Sequence, residues 1–324
     1  MYLIYSKIYL LLMKSAILVG GQAVIDGVMM RVPGAYATAV RLSDQTIHFQ
    51  KHNFISIIDK YKLQKLYFIR GMIHLYESMR IGYSTLDWSA LQQEETKSSP
   101  SNKIIDIAMT IFSVLFALTL FLFLPIFITS FFFQEIVNSP VYFNIISGSM
   151  RIAIFLTYLI SISFLSDVKV LFQYHGAEHK TVYNFESGKK LDVKNAQNFP
   201  TQHPRCGTSF VFIIMLITIF TYTIIDSIAL LFINELTHFH RIIFHITCLP
   251  LVAGIGYETL KLLSKNQNNF ACKILSKPGL WLQNITTNPP TDKQVEVAIF
   301  ALEKAFGDDI EKYQGKQYTA DAIG

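Results

Sequence analysis

The sequence predicts a mainly α-helical, polytopic membrane protein, with about four transmembrane helices and a small mixed α+β cytoplasmic cap from the N- and C-terminal regions. Three observations predict it. The 324-residue chain is 51% hydrophobic and 16% charged, with 26 Phe and a mean hydropathy of +0.35, a balance foreign to ordinary soluble domains. The apolar residues gather in four long runs between residues 107 and 256. Of the 28 Lys and Arg residues, all but Arg151 and Arg241 fall in residues 1–103, 166–207 and 261–324, the segments that four crossings put on one side. The positive-inside rule makes that side cytoplasmic, or stromal in an organelle, with both termini there. The expected location is therefore a bacterial plasma membrane or a bacterium-derived organelle membrane. The formal charge of +5 reads as orientation against an anionic leaflet, not as nucleic-acid affinity. Cys206, Cys248 and Cys272 are scattered and odd in number, which argues against a disulfide framework or a thiolate zinc finger.

The elements follow in chain order. The apolar run Met1–Met13 contains Lys7 and precedes no small-residue cleavage site, so it reads as an ordinary start or an extension before Met13, not a signal peptide. Residues 13–102 form an N-terminal cytoplasmic region. In it, Gly20–Pro33 holds three glycines and a proline among apolar residues, which predicts a tight turn where backbone approaches something closely. Ala35–Arg41 and Thr46–Gln50 predict a hairpin joined through Ser43–Gln45. Leu63–Ala90 predicts a helix, with Leu66, Ile69, Ile73, Tyr76, Met79 and Tyr83 at spacings of three and four. Its interspersed Arg70, His74, Glu77 and Arg80 suit a helix lying along a membrane surface. Gln92–Asn102 is a polar linker.

Residues 103–263 form the membrane domain. Ile107–Phe133 carries no charge and is long enough to cross a hydrocarbon core of about 30 Å, with Pro125 a place for a kink. The second run spans Arg151 to Phe172, the third Thr208 to Ile233, and the fourth Ile242 to Gly256. Between the second and third lies a cytoplasmic loop, residues 173–207. Residues 264–324 form a C-terminal cytoplasmic tail, with a turn at Lys277-Pro278-Gly279 and an amphipathic stretch Leu280–Ile285. Thr291-Asp292 caps a helix over Lys293–Phe306 with Val295, Ile299, Leu302 and Phe306 on its apolar face.

The chemistry concentrates in His175-Gly176-Ala177-Glu178-His179. If the preceding helix continues, His175 and His179 lie one turn apart on one face. Two imidazoles so spaced can grip one divalent metal, and the adjacent carboxylate can take a proton from water. The order His-x-x-Glu-His is the inverzincin pattern. On a four-span topology the same membrane face receives His203, Arg205 and Cys206 before the third span and Glu258 at the end of the fourth. Glu258 is the expected third ligand, with His203 and Cys206 as competitors, and Glu178 the expected general base. The bland readings are a polar interfacial cap for the histidines, and a snorkelling carboxylate paired with Lys261 or Arg205 for Glu258. Cys206 would then be a small buried hydrophobe, and Asp226, inside the third span, a structural residue. Gly20-Gly21 lacks the Lys-Ser/Thr of a nucleotide loop.

These residues resemble the DUF1385 family, the YqhQ-like bacterial membrane proteins. The matching blocks are Gly20–Arg31 (GGQAVIDGVMMR), His175–Lys180 (HGAEHK), His203–Phe210 (HPRCGTSF), Pro250–Glu258 (PLVAGIGYE), and Leu282–Pro290 followed by Glu296-Val297-Ala298. They run in order along nearly the whole chain and add Gln22, Asp26 and Arg31 as candidate site residues. Asp26 departs from the family pattern, which has Glu there. The family is described as predicted metal-dependent enzymes, so the resemblance implies a divalent metal and names no substrate.

The expected function is metal-dependent hydrolysis at the cytoplasmic membrane interface, on a membrane-protein or lipid substrate. His175, His179 and Glu258 would hold zinc, and Glu178 would act as base. The alternative is a non-catalytic membrane scaffold or assembly factor, in which the same His, Glu and Arg side chains form a structural network. Transport is a weaker expectation because the spans carry few charges. Oligomeric state is left open.

Overall fold

The computed structural model describes residues 19–94, 103–204, 206–265 and 269–316; the run Met1–Met13, residues 95–102 of the polar linker, and Arg205 lie outside the described residues. The N-terminal part is an antiparallel meander of four strands in sequence order: Gly20–Val24 (β1), Gly27–Val32 (β2), Ala35–Arg41 (β3) and Ile47–Asn53 (β4). The expected hairpin is its second half. Its first half is the stretch expected to be a tight turn, where glycines punctuate the alternation of Val24, Val28, Met30 and Val32. Close approach does occur there, because a Cβ on Gly21 would lie 2.1 Å from the Met29 carbonyl oxygen.

After the short helix Ile57–Tyr61 (α1), Ile69–Glu94 (α2) covers one sheet face, where Ile81 joins Val24, Met29, Val40 and Leu42. His74 of α2 stacks on Tyr257, ring centroids 5.1 Å apart. Glu77 lies 3.9 Å from its Nδ1; the charge of Asp59 favours the charged ring, but burial, followed by the charges of Arg31 and Lys261, outweighs it and brings the pKa down to about 4. A folded pKa below the unfolded value of about 6.5 means the unfolded chain binds more protons between those limits. The neutral ring's contribution is therefore complete above pH 6.5 and lost as pH falls toward 4. We expect a His74→Gln variant to flatten the acid side of the stability–pH curve in that window, read by Trp88 fluorescence during denaturant titration.

The helical part follows. Lys103–Leu118 (α3) passes through a π-helical turn, Thr119–Phe123, into Leu124–Phe132 (α4). The turn's wide loop, not Pro125 alone, breaks the regularity. Pro140–Ser163 (α5) ends at Phe164, and Leu165, in an extended conformation, starts a separate helix, Ser166–Glu186 (α6). This corrects the second apolar run, expected to cross at 151–172. Its last apolar residues, Val168 and Phe172, pack on Leu159, Leu282 and Ile285, so their hydrophobicity serves an intramolecular core. It also corrects the central loop, since residues 173–186 are helical. A five-residue helix, Val193–Gln197 (α7), precedes Gly207–Ala229 (α8). The fourth run is two helices, His238–Thr247 (α9) and Leu249–Lys265 (α10), meeting at 53°. Pro250, which lacks an N–H, lies in the first turn of α10, where that loss costs little. Among the described residues three helices are long and apolar enough to cross a membrane, Ile107–Phe132, Pro140–Ser163 and Gly207–Ala229, or four if the bent pair is one span.

Phe270–Thr286 (α11) runs straight through Lys277-Pro278-Gly279, so the expected turn is absent. Gly279 is pressed against Ser209, where an added Cβ would come within 2.7 Å of the Ser209 side chain, and this packing on α8 overrides the punctuation. Asp292–Phe306 (α12) has a capping box between Thr291 and Gln294. It lies on the second sheet face, where Val295, Ala298 and Leu302 meet Val28, Met30 and Ala37 and, from α6, Ala177 and Phe185. The chain closes with Ile310–Tyr313 (α13). Helix α6 thus lies between the sheet, α12 and the 190–204 segment, and its polar residues face a protein interior.

Candidate metal centre

Helix α6 is continuous through both histidines, so His175 and His179 share one face, with ring centroids 4.5 Å apart. Gly176 between them is required by packing: a Cβ there would come within 2.2 Å of the Asn288 carbonyl oxygen. That crossing, tied by the Asn288 N–H to the Phe172 carbonyl at 2.9 Å, carries the end of α11 past His175. In consequence His175 Nδ1 donates to the Thr286 carbonyl at 2.9 Å, and His179 Nδ1 donates to the Thr201 carbonyl. A carbonyl oxygen can only accept, so both Nδ1 atoms carry a proton, and in the neutral form of each ring Nε2 presents a lone pair.

Those lone pairs face other donors of electrons. His175 Nε2 lies 3.2 Å from Cys206 Sγ, and His179 Nε2 lies 3.4 Å from Glu178 Oε2. One ligand atom each from His175, His179 and Cys206 lies within 4.8 Å of the others. Cys206 is the N-cap of α8, where its sulfur accepts from the Thr208 N–H. A carbonyl behind each imidazole is the outer-shell arrangement that fixes the tautomer and orients a metal-ligating histidine. The donor set of two imidazoles and one sulfur suits zinc.

These residues line a cavity of about 280 Å³ with Gln22, Arg31 and His203 also on its walls. Gln22 ties β1 to α2 by donating to the Gly82 carbonyl and Thr85 Oγ1, both at 3.0 Å. Arg31, on β2, stacks over the Phe54 ring at 4.6 Å. His203 is buried with its ring 5.5 Å from that of His179. Its main chain is clamped by the fully buried Gln283, which accepts from the His203 N–H at 2.6 Å and donates to its carbonyl at 2.8 Å. Lys180 points elsewhere, donating to the Gln197 and Phe199 carbonyls; burial draws its pKa down.

Two expected members are not brought to the histidines. Glu258 on α10 is held in two-pronged fashion by one edge of the Arg70 guanidinium, Nε and Nη2 donating at 2.6 and 2.5 Å, since α2 packs directly on α10. The group of ligand atoms gathered among the described residues takes Cys206 in the third place instead. Asp26 occupies the β1–β2 turn with φ 50°, a conformation Asp tolerates well, and does not line the cavity. Thr201, Gln283 and Thr286 were missed by sequence reasoning, although the last two lie in the quoted block Leu282–Pro290.

A Gly21→Ala variant should disturb this wall. The new Cβ would meet the Met29 carbonyl at 2.1 Å and Glu178 Cγ at 3.1 Å, and overpacking of this kind costs about 1–3 kcal/mol. A lowered melting temperature is the expected result; an unchanged one would contradict the packing described.

The family model described as "Protein of unknown function (DUF1385)" matches residues 66–308. The chain is similar to "Uncharacterized protein YqhQ" of Bacillus subtilis (strain 168), with 33% identity over 298 residues, covering 86% of this chain and 89% of that protein. No solved structure matches the chain at a significant level.

Proposed function

The chain belongs to the DUF1385 family, and from its own geometry we propose that it is a membrane-embedded, metal-dependent hydrolase. His175, His179 and Cys206 would hold one divalent ion, zinc by the chemistry of the donors. The observation that carries this reading is the pair of Nδ1–H bonds to the Thr286 and Thr201 carbonyls, which leaves two Nε2 lone pairs beside a sulfur. Such an ion would supply Lewis acidity to a substrate oxygen and acidify a water at the same place. Glu178, one residue before His179 and buried on the cavity wall, takes the proton that water releases and returns it to the leaving group. The cavity wall includes Gly207, the first residue of the apolar helix α8. If α8 and its apolar neighbours span, with the Lys- and Arg-rich segments inward, the site works at the cytoplasmic rim on a membrane-protein or lipid substrate.

Glu178→Gln should keep the metal and lose hydrolysis by at least about 100-fold, the usual scale of a positioned acid–base group. The check is turnover of a panel of p-nitrophenyl esters and phosphates beside elemental analysis. Full turnover in the variant removes the base assignment.

The 3.2 Å contact of His175 Nε2 with Cys206 Sγ favours a second reading, a metal-free nucleophile and base. In it the thiol proton passes to His175 and the sulfur attacks an acyl carbon, displacing the leaving group that His175 then protonates. Wild-type protein without metal that is acylated on Cys206 by a p-nitrophenyl ester would select it.

A further inference from the structure

Arg31 is a charged side chain on a cavity wall. No hydrogen bond or ion pair joins its guanidinium to any described residue, and its close contact is the Phe54 ring, 4.6 Å from the guanidinium carbon. Stacking covers a face of the guanidinium and leaves the N–H groups in its plane available. Glu77, the nearest influence of opposite sign, already accepts from Ser56 Oγ at 2.9 Å and from the Ile57 N–H at 2.5 Å. Burial, the largest influence on Arg31, draws its pKa down, as expected where desolvation of a charge is not offset. Arg31 lines the same cavity as His175, Glu178, His179 and Cys206.

We infer that Arg31 is a specificity residue that binds a phosphate group of the substrate beside the reacting centre. This rests on the hydrolase reading for the reaction, though not for the binding. The fork of N–H groups matches an oxyanion in two-pronged fashion. A second element supports phosphate over carboxylate. At Gly207, the first residue of α8 on the cavity wall, nothing lies within 4 Å of the place a Cβ would take. Backbone there is open to a ligand, and its N–H end carries partial positive charge. The oxygens of phosphate point in several directions and suit donors on both β2 and α8 better than the two coplanar oxygens of a carboxylate.

The test measures binding of inorganic phosphate and of detergent-solubilised lysophosphatidate to the full chain. Wild type, Arg31→Gln and Arg31→Lys are compared, each as purified and after chelation, with circular dichroism confirming fold. Arg31→Gln should weaken binding at least about 10-fold in both metal states, with Arg31→Lys between, because it keeps charge and loses the fork. Lysophosphatidate bound more tightly than phosphate, with the same dependence on Arg31, identifies a lipid headgroup as the source; comparable or weaker binding identifies a soluble phosphate ester. Equal binding by wild type and Arg31→Gln, or no binding by wild type, overturns the inference. Protein that holds no metal as purified or after reloading, yet binds phosphate through Arg31, sinks the metal reading and keeps this one. Metal-loaded protein whose phosphate affinity ignores Arg31 does the reverse.

Discussion

Metal content should fall from about one divalent ion per chain to background in the His175→Ala/His179→Ala variant, with the helical fold retained. The variant removes two of the three gathered ligand atoms, and a lone sulfur cannot hold a zinc-like ion against buffer. Its structural cost is bounded, because each imidazole makes one main-chain hydrogen bond. Stranding a buried carbonyl costs about 1–3 kcal/mol, against about 5–15 kcal/mol for a whole fold. Elemental analysis of protein purified in detergent without a His tag gives the first number, and circular dichroism the second. No metal in wild type after attempted reloading, together with a variant that no longer folds, would favour the scaffold alternative.

A second large effect is expected far from that site. Asp226 and Arg241 are both fully buried. One Asp226 oxygen accepts from Arg241 at 2.6 Å and from Asn144 at 2.8 Å, and the other faces His245 Nε2 at 3.1 Å. Arg241 also donates to the Val137 carbonyl and lies 3.5 Å from the centre of the Phe143 ring. The four residues come from α5, α8 and α9, so the cluster pins the bent pair to the bundle. Asp226→Ala or Arg241→Ala leaves the opposite charge buried and alone, at a cost of about 3–5 kcal/mol. The double variant Asp226→Leu/Arg241→Met removes both charges and should regain most of that loss, since apolar replacement of a buried pair is often neutral. Unfolding titrations in mixed micelles would show it; a loss in the double variant equal to the sum of the two single losses would mean that the pairing contributes nothing.

The sequence made the His pair, the β3–β4 hairpin and the helix after Thr291 readable, because each depends on local spacing or capping. It also carried the family. What it concealed was decided by distant packing. Val168 and Phe172 read as part of a crossing because hydropathy does not distinguish lipid from the α11 face that covers them. Glu258 read as a ligand because topology put it at the right end, while Arg70, 188 positions away, claims its carboxylate. Pro278 read as a stop because the pressure of α8 on Gly279 is invisible in one dimension. Thr201 and Thr286 act through backbone carbonyls, which every residue has, so no side-chain pattern announces them. Asp226 was read as structural, but not as the centre of a charge cluster, since its position suggested interfacial water.

The contact between His175 and Thr286 spans 111 positions, and this sets an order of events during synthesis. All three gathered side chains, His175, His179 and Cys206, leave the ribosome before α11 exists. Until Gln283 clamps the His203 segment and Thr286 arrives behind His175, that ring has neither a fixed tautomer nor a fixed direction. The cluster therefore matures only when nearly the whole chain has been made, and a nascent chain halted before residue 283 would carry all three side chains yet no organised site.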